Sequence, residues 1–191
     1  MKLTVLLDCD GVLADFDGRT KQDVLNLKGS LNQTHFEWSI EETFGLTKKE
    51  KSWVKAQRSK PGWCFSIEPY PSAVEGVKKL KAIADVHVLT SPWMSDFWVP
   101  ERYKWLQKHF GIGHDDVTFT HQKHRTFGHV LVDDKESHHM PWRDRHGPNS
   151  YLWANPYNVP VNGSIFHRSV QYTDNWDQLV SDVAFLSNLV K

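Results

Sequence analysis

The sequence predicts an α/β domain built on a mostly parallel sheet. Short apolar, β-branched runs alternate along it with stretches of helical period, and the intervals between runs leave room for crossover helices. Its 191 residues amount to one domain on the usual range of roughly 100–200 residues. No internal repeat or Gly/Ser linker divides the chain.

Leu3–Leu7 reads as a buried strand that stops at Asp8-Cys-Asp-Gly11. Val86–Leu89 is a second strand, ended by Thr90-Ser91-Pro92, and Val117–Thr120 a third. Val130–Val132 is a fourth, ended by Asp133-Asp134, and Tyr151–Ala154 a fifth. Ser72 and Glu75 have capping-box spacing behind Pro71 and open a helix that turns Val74, Val77 and Leu80 inward. A second helix covers Arg102–His109 and stops at Gly111. A third starts near Asp174, with Trp176, Leu179, Val180, Val183 and Leu186 facing in. Right-handed crossovers then make the sheet parallel.

The stretch from Asp15 to Pro71 does not fit that alternation. It holds polar helical patches at Lys21–Lys28 and Lys48–Lys60 and the aromatics Phe36, Trp38, Phe44, Trp53, Trp63 and Phe65. A loop of that length without structure would be improbable. It reads as a small helical cap, residues 15–71, inserted after the first strand above a core of residues 1–14 and 72–191. Open α/β sheets bind ligands at that edge.

Lys plus Arg and Asp plus Glu both number 23, so the net charge is zero with histidines neutral. Such a balance lacks the footprint of a stable nucleic-acid or anionic-membrane partner. No apolar run approaches the roughly 20 residues that span a bilayer, and no small-residue cleavage site follows the opening apolar run. Cys9 and Cys64 are the only cysteines and suit a reduced, cytoplasmic setting. Nine tryptophans and ten phenylalanines serve either a core or a pocket that stacks flat ligands.

The chemistry gathers at strand ends. Asp8 and Asp10 stand so close that their charges repel unless a cation neutralises them. Mg²⁺ suits such hard oxygens and keeps waters for a phosphate ligand. Thr90 and Ser91 follow the second strand, Lys123 the third, and Asp133 and Asp134 the fourth. Each of these residue types alone is an ordinary turn or surface feature. Their shared position, at the carboxyl ends of four strands, is what suggests one site. The set suits phosphoryl transfer: a strand-borne Asp8 attacks phosphorus, and Asp10, in the turn and free to swing, exchanges the proton. The hydroxyls and the ammonium hold charge on the phosphoryl oxygens.

The ordered set Asp8-x-Asp10-Gly, Thr90-Ser91, Lys123 and Asp133-Asp134 resembles the haloacid dehalogenase (HAD) superfamily of phosphohydrolases. A closer resemblance is to the 5'(3')-deoxyribonucleotidases and their bacterial and phage relatives. Asp8-x-Asp-Gly-Val-Leu-Ala-Asp-Phe16, the Pro61–Glu75 segment, Leu89-Thr-Ser-Pro92, the step from Lys123 to Asp133, and Asp174-Asn-Trp176 carry the likeness. The resemblance implies a HAD-like Rossmannoid sheet and hydrolysis of (deoxy)nucleoside monophosphates through an aspartyl-phosphate. It implies Asp8 as nucleophile and Mg²⁺ ligand, and Asp10 as acid/base with its carbonyl on the metal. Asp134 completes the metal site with Asp133 beside it, and Thr90, Ser91 and Lys123 bind phosphate. Phe16, with Phe36, Trp38, Trp63 and Phe65, would line the nucleoside pocket.

This chain departs from that family in having His121 where an Arg is usual, a shorter and more basic cap, and a different His138–His146 stretch. Eleven histidines raise a zinc reading, but no zinc-ligand spacing supports it. Two rivals stand beside the nucleotidase reading: the same chemistry on another small phosphate ester or a nucleic-acid terminal phosphate, and a binding module without catalysis. Oligomeric state is open, a homodimer included.

Overall fold

The computed structural model describes residues 2–33, 36–158 and 171–189. Six strands form one sheet: β1 (Thr4–Leu7), β2 (Asp85–Thr90), β3 (Val117–Phe119), β4 (Val130–Asp133), β5 (Ser150–Trp153) and β6 (Gln171–Thr173). They lie in the order β3-β2-β1-β4-β5-β6, and every adjacent pair is parallel. β6 was not expected from the sequence, because three residues are too few to show a pattern.

The order reverses at β1. Successive strands first run outward through β2 and β3, then resume on the other side with β4. Beyond the carboxyl ends of β1 and β4 the flanking connections part, and that crevice is where such sheets take ligands. Leu7 stands opposite Val88 on one side and Val132 on the other, so the chain leaves β1 and β4 at the same level.

Alternate residues of β1 face opposite layers. Val5 and Leu7 join a large core with Val88, Val130, Val132, Leu80, Trp105 and Val183. Leu6 meets Leu89, Leu131 and Trp142 on the other face. Both faces are covered, which is why these strands read as unbroken apolar runs. The first layer comes from α4 (Pro71–Ile83), α5 (Trp98–Phe110) and α7 (Trp176–Leu189); α6 (Glu136–His146) contributes Trp142 to the second. The sequence pattern missed α6: it carries Pro141 inside and anchors on one tryptophan rather than on an apolar stripe.

Two helix starts differ from expectation. α4 is capped by Tyr70 with Pro71 as its first residue, and Ser72 makes no capping bond; the fixed φ of proline already sets the first turn, placing Ser72 inside it. α5 begins at Trp98, a turn earlier than the sequence suggested, and ends on Gly111 at φ 59°.

The inserted segment folds as α1 (Phe16–Lys28), α2 (Ile40–Thr43) and α3 (Lys48–Arg58). Asp15 caps α1 by accepting from the Gly18 N–H, and a Thr47–Glu50 capping box starts α3. Val24, Ile40, Phe44, Leu46 and Val54 form a small separate core. The two chains linking it to the sheet run side by side: Asp15 N–H donates to Glu68 O and Tyr70 N–H to Leu13 O, both at 2.9 Å. Trp63, Cys64 and Ile67 rejoin the main core. Cys9 and Cys64 are both buried and unbonded. No helix among the described residues is long and apolar enough to cross a membrane.

Gly76 of α4 lies directly against the Trp176 ring of α7. A Cβ there would fall within 2.6 Å of three ring atoms of Trp176. Alanine would gain about 1 kcal/mol in helix propensity but cost about 1–3 kcal/mol or more in overpacking. Gly76→Ala is therefore expected to lower the unfolding free energy by about 1–2 kcal/mol, read from the urea midpoint.

Candidate active site

β1 ends by handing its ladder to Asp8, whose N–H donates to Val132 O at 2.9 Å. The chain then coils tightly, with the N–H groups of Leu13 and Ala14 both on Cys9 O. Gly11 adopts φ 79° here, and a Cβ on it would lie 2.7 Å from the Tyr157 oxygen and from Asp134 Cγ. Only a glycine lets the first acid turn approach the second this closely.

Lys123 lies between the two turns. It sits on a single 3-10 turn after β3, 1% exposed, with Nζ 2.5 Å from Asp8 Oδ2 and 2.6 Å from Asp133 Oδ2. Asp133 also accepts from the Lys135 N–H at 2.9 Å and contacts His138 Nδ1 at 3.0 Å. Burial opposes its ionisation, but Lys123 and then His138 hold its carboxyl well below the usual range. Asp8 shares the same ammonium with fewer donors; desolvation wins and its carboxyl is pushed up. Asp134 is also pushed up, first by burial and then by the charges of Asp8 and Asp133.

Those directions separate the second acid pair. Asp134 lines a cavity of about 400 Å³ together with Asp8, Asp10, Thr90 and Ser91. Asp133, expected beside it as a metal ligand, is not in the wall: its oxygens are occupied by Lys123, the Lys135 N–H and His138. Asp8, Asp133 and His138 do offer ligand atoms within 4.8 Å of one another, but the Lys123 ammonium already bridges the two acids. The carboxylates left facing the cavity and repelling each other are Asp8 and Asp134. Burial and proximity make this pair costly unless a cation joins it, and an all-oxygen donor set fits Mg²⁺.

Asp10 is tethered, not free to swing. Arg102 of α5, 0% exposed, donates to Asp10 Oδ1 at 2.6 Å and to Cys9 Sγ at 3.0 Å, with Trp98 and Trp105 on its faces. Sequence reading missed Arg102, because one arginine in an amphipathic helix carries no signal of its own. It also missed the loop after β5. Asn155 donates to Gly11 O at 2.9 Å, Asn158 to Asp134 O at 2.8 Å, and the Tyr157 hydroxyl to the Asp134 carboxylate. Asn155-Pro-Tyr-Asn158 directly after a strand was the available clue. Ser91 donates its hydroxyl to Thr120 O at 3.2 Å, while His121 lies on the cavity rim.

The aromatic expectations divide. Phe16 and Trp38 line the cavity, and Trp38 meets Tyr157 edge-on at 5.0 Å. Phe36, Trp63 and Phe65 do not. Trp63 is buried against Phe16 and Trp98, with its Nε1–H on Asp23 at 2.6 Å; it ties the cap to the core. Phe65 sits on an outer turn beneath Lys108, and Phe36 is 52% exposed.

Asp17, on the cap side of the cavity, has its carboxyl pushed up by burial from 3.8 to about 6. The folded state therefore holds this proton more tightly than the unfolded chain. Its contribution to stability is whole below 3.8, falls away between 3.8 and about 6, and is absent above. The full difference corresponds to roughly 3 kcal/mol, cut by solvent at a half-buried group to about 1–2 kcal/mol. Asp17→Asn should thus stabilise the protein by about 1–2 kcal/mol near pH 7.5 and by nothing near pH 3.5, as paired thermal melts at the two values would show.

Comparison with known proteins agrees with this architecture. The family model "5' nucleotidase, deoxy (Pyrimidine), cytosolic type C protein" matches residues 2–184. The human mitochondrial 5'(3')-deoxyribonucleotidase is 31% identical over 152 residues, 70% of this chain and 62% of its own. The human cytosolic 5'(3')-deoxyribonucleotidase is 29% identical over 142 residues, 70% of this chain and 71% of its own. The chain spans about three fifths of the mitochondrial relative. Among solved structures, a HAD-hydrolase of Bacillus subtilis bound to magnesium superposes with a TM-score of 0.59 at 13% identity, covering 95% of this chain and 98% of that one. The fold is HAD-like, and the chain belongs to the cytosolic type C deoxy-5'-nucleotidase family.

Proposed function

We propose that this protein is a Mg²⁺-dependent phosphomonoesterase that hydrolyses (deoxy)nucleoside monophosphates through an aspartyl-phosphate on Asp8. One observation carries the reading: Asp8, fixed at the end of β1 and paired with a buried lysine, opens into a cavity whose cap side presents Phe16 and Trp38. A phosphate at Asp8 puts the nucleoside among those rings, where stacking is worth roughly 1–3 kcal/mol per base.

The carboxylate of Asp8 attacks phosphorus, and the bond to the ester oxygen breaks as Asp10 passes its proton to that oxygen. The nucleoside leaves. Water then attacks the phosphoryl group, Asp10 takes the water's proton, and the bond to Asp8 breaks to release phosphate. Arg102 aims Asp10 throughout by holding one of its oxygens. Thr90, in the cavity wall, meets the phosphoryl oxygens. Lys123 lies outside that wall, bridging Asp8 and Asp133, and lends its charge to the same phosphoryl group through its place beside Asp8, with Asp133 and His138 keeping it there. Asp8, Asp134 and the Asp10 carbonyl would hold Mg²⁺, which neutralises charge between carboxylates and phosphate. The magnesium-bound structural neighbour and the names of the relatives support the reading.

A panel of nucleoside monophosphates, sugar phosphates and p-nitrophenyl phosphate, assayed with and without Mg²⁺, tests it. Nucleotides should lead the panel, and chelation should abolish turnover. Asp8→Asn should cut kcat by at least about a thousandfold with an unchanged circular dichroism spectrum. Turnover by Asp8→Asn close to wild type would refute the assignment.

A further inference from the structure

Trp38 carries the cap to the surroundings of Asp134. It stands just before α2 and sets its ring edge-on against Tyr157, with centroids 5.0 Å apart. The Lys135 ammonium lies 5.4 Å from the centre of the same ring. Both of these partners flank Asp134: Lys135 follows it in the chain, and the Tyr157 hydroxyl donates to its Oδ2. The indole is thus held from two sides by neighbours of one carboxylate.

The loop that carries Tyr157 is tied to both acid turns. Asn158 donates through its side chain to Asp134 O and Trp153 O, both at 2.8 Å, and its Oδ1 accepts from the Asn155 N–H at 2.8 Å. Asn155 in turn donates to Gly11 O at 2.9 Å. These bonds fix the backbone of the loop, while the edge of Trp38 bears on the ring that aims the hydroxyl. Among the described residues no hydrogen bond reaches Asp134 Oδ1. With Oδ2 taken by Tyr157, Oδ1 is the oxygen left for a cation, and the orientation of the carboxylate follows its donor.

Resting on the Mg²⁺ reading above, we propose that Trp38 and Tyr157 are positioning residues for the metal. Trp38 seats the Tyr157 ring, Tyr157 orients Asp134, and the seating of the cap on the sheet edge is thereby coupled to Mg²⁺ affinity. Groups that orient a metal ligand from behind are worth about 10–100-fold in affinity. The coupling is reciprocal, so a bound metal favours the cap position in which Trp38 meets Tyr157. Trp38 then does more than face a nucleoside.

Calorimetric titration of Mg²⁺ into the full chain, with no nucleotide present, reads this coupling apart from turnover. Tyr157→Phe keeps the ring and removes the donor, and its Kd for Mg²⁺ should rise about tenfold or more over wild type. Trp38 is 47% exposed and lies outside the small core of the cap, so Trp38→Ala spares the fold; its Kd should rise about fivefold. Adding Trp38→Ala to Tyr157→Phe, where no hydroxyl remains to be aimed, should raise the Kd by less than about twofold further. A Trp38 that only stacks on nucleosides would leave the Kd of the single variant where it is. An unchanged Kd in either single variant, or fully additive losses in the double one, overturns the coupling and leaves the metal site standing. A wild type that takes up no Mg²⁺ overturns the metal reading, and the coupling with it.

Discussion

The buried ammonium of Lys123 is the interaction on which the rest of the site depends. It lies 1% exposed between Asp8 and Asp133, at 2.5 and 2.6 Å, and so joins the ends of β1 and β4 to the turn that follows β3. Burial disfavours every one of these charges, and only their mutual attraction makes them tolerable. Removing one partner of such a group strands the others, at about 3–5 kcal/mol. The arrangement also fixes which acids remain open. Asp133 is saturated by Lys123, a backbone N–H and His138. Asp8, which shares the Lys123 ammonium, and Asp134, which accepts from Tyr157, are left to face the cavity. The same contacts that brace the sheet edge leave there a pair of acids whose oxygens suit a cation.

Around that centre, neighbouring elements hold the acids from different directions. α5 reaches in with Arg102 to fix Asp10, and the loop after β5 fixes the Asp134 turn through Tyr157 and Asn158. Gly11 permits the two acid turns to meet. The cap brings a different chemistry: aromatic faces from Phe16 and Trp38, and a charged edge from Asp17 and Arg58. Its small separate core and paired connections at Asp15–Glu68 and Leu13–Tyr70 let it carry these groups as a unit above the sheet edge. The acid cluster belongs to the sheet, and the aromatic side of the cavity belongs to the cap.

Much of the frame was legible along the chain. Strands buried on both faces leave continuous apolar runs, and β1, β2, β4 and β5 were readable for that reason. β6 and α6 were not: one has three residues, the other a single buried tryptophan and an internal proline. Asp8, Asp10, Thr90, Lys123 and Asp134 could be named because each stands at or after the end of a strand, and parallel strands bring their carboxyl ends to one edge. Arg102 and Tyr157 could not. They come from a helix and a loop whose local patterns say nothing about reaching an acid 92 or 23 residues away. Cap aromatics were equally opaque, since a ring on a short helical segment packs inward or opens to a cavity according to how that segment is laid down. Trp63 packs inward, and Trp38 opens to the cavity.

The sequence by itself determined the parallel sheet, the edge at which chemistry gathers and the oxygen-rich character of its acids. Periodicity and turn residues are local properties, and the parallel crossover rule turns them into a shared edge. Tertiary structure alone decided the division of labour: Asp134 open and Asp133 enclosed, Asp10 tethered by Arg102, Arg58 brought beside the ring of Phe16. Those outcomes depend on which distant donors reach each carboxylate. That competition is settled only when the helices and the cap have packed.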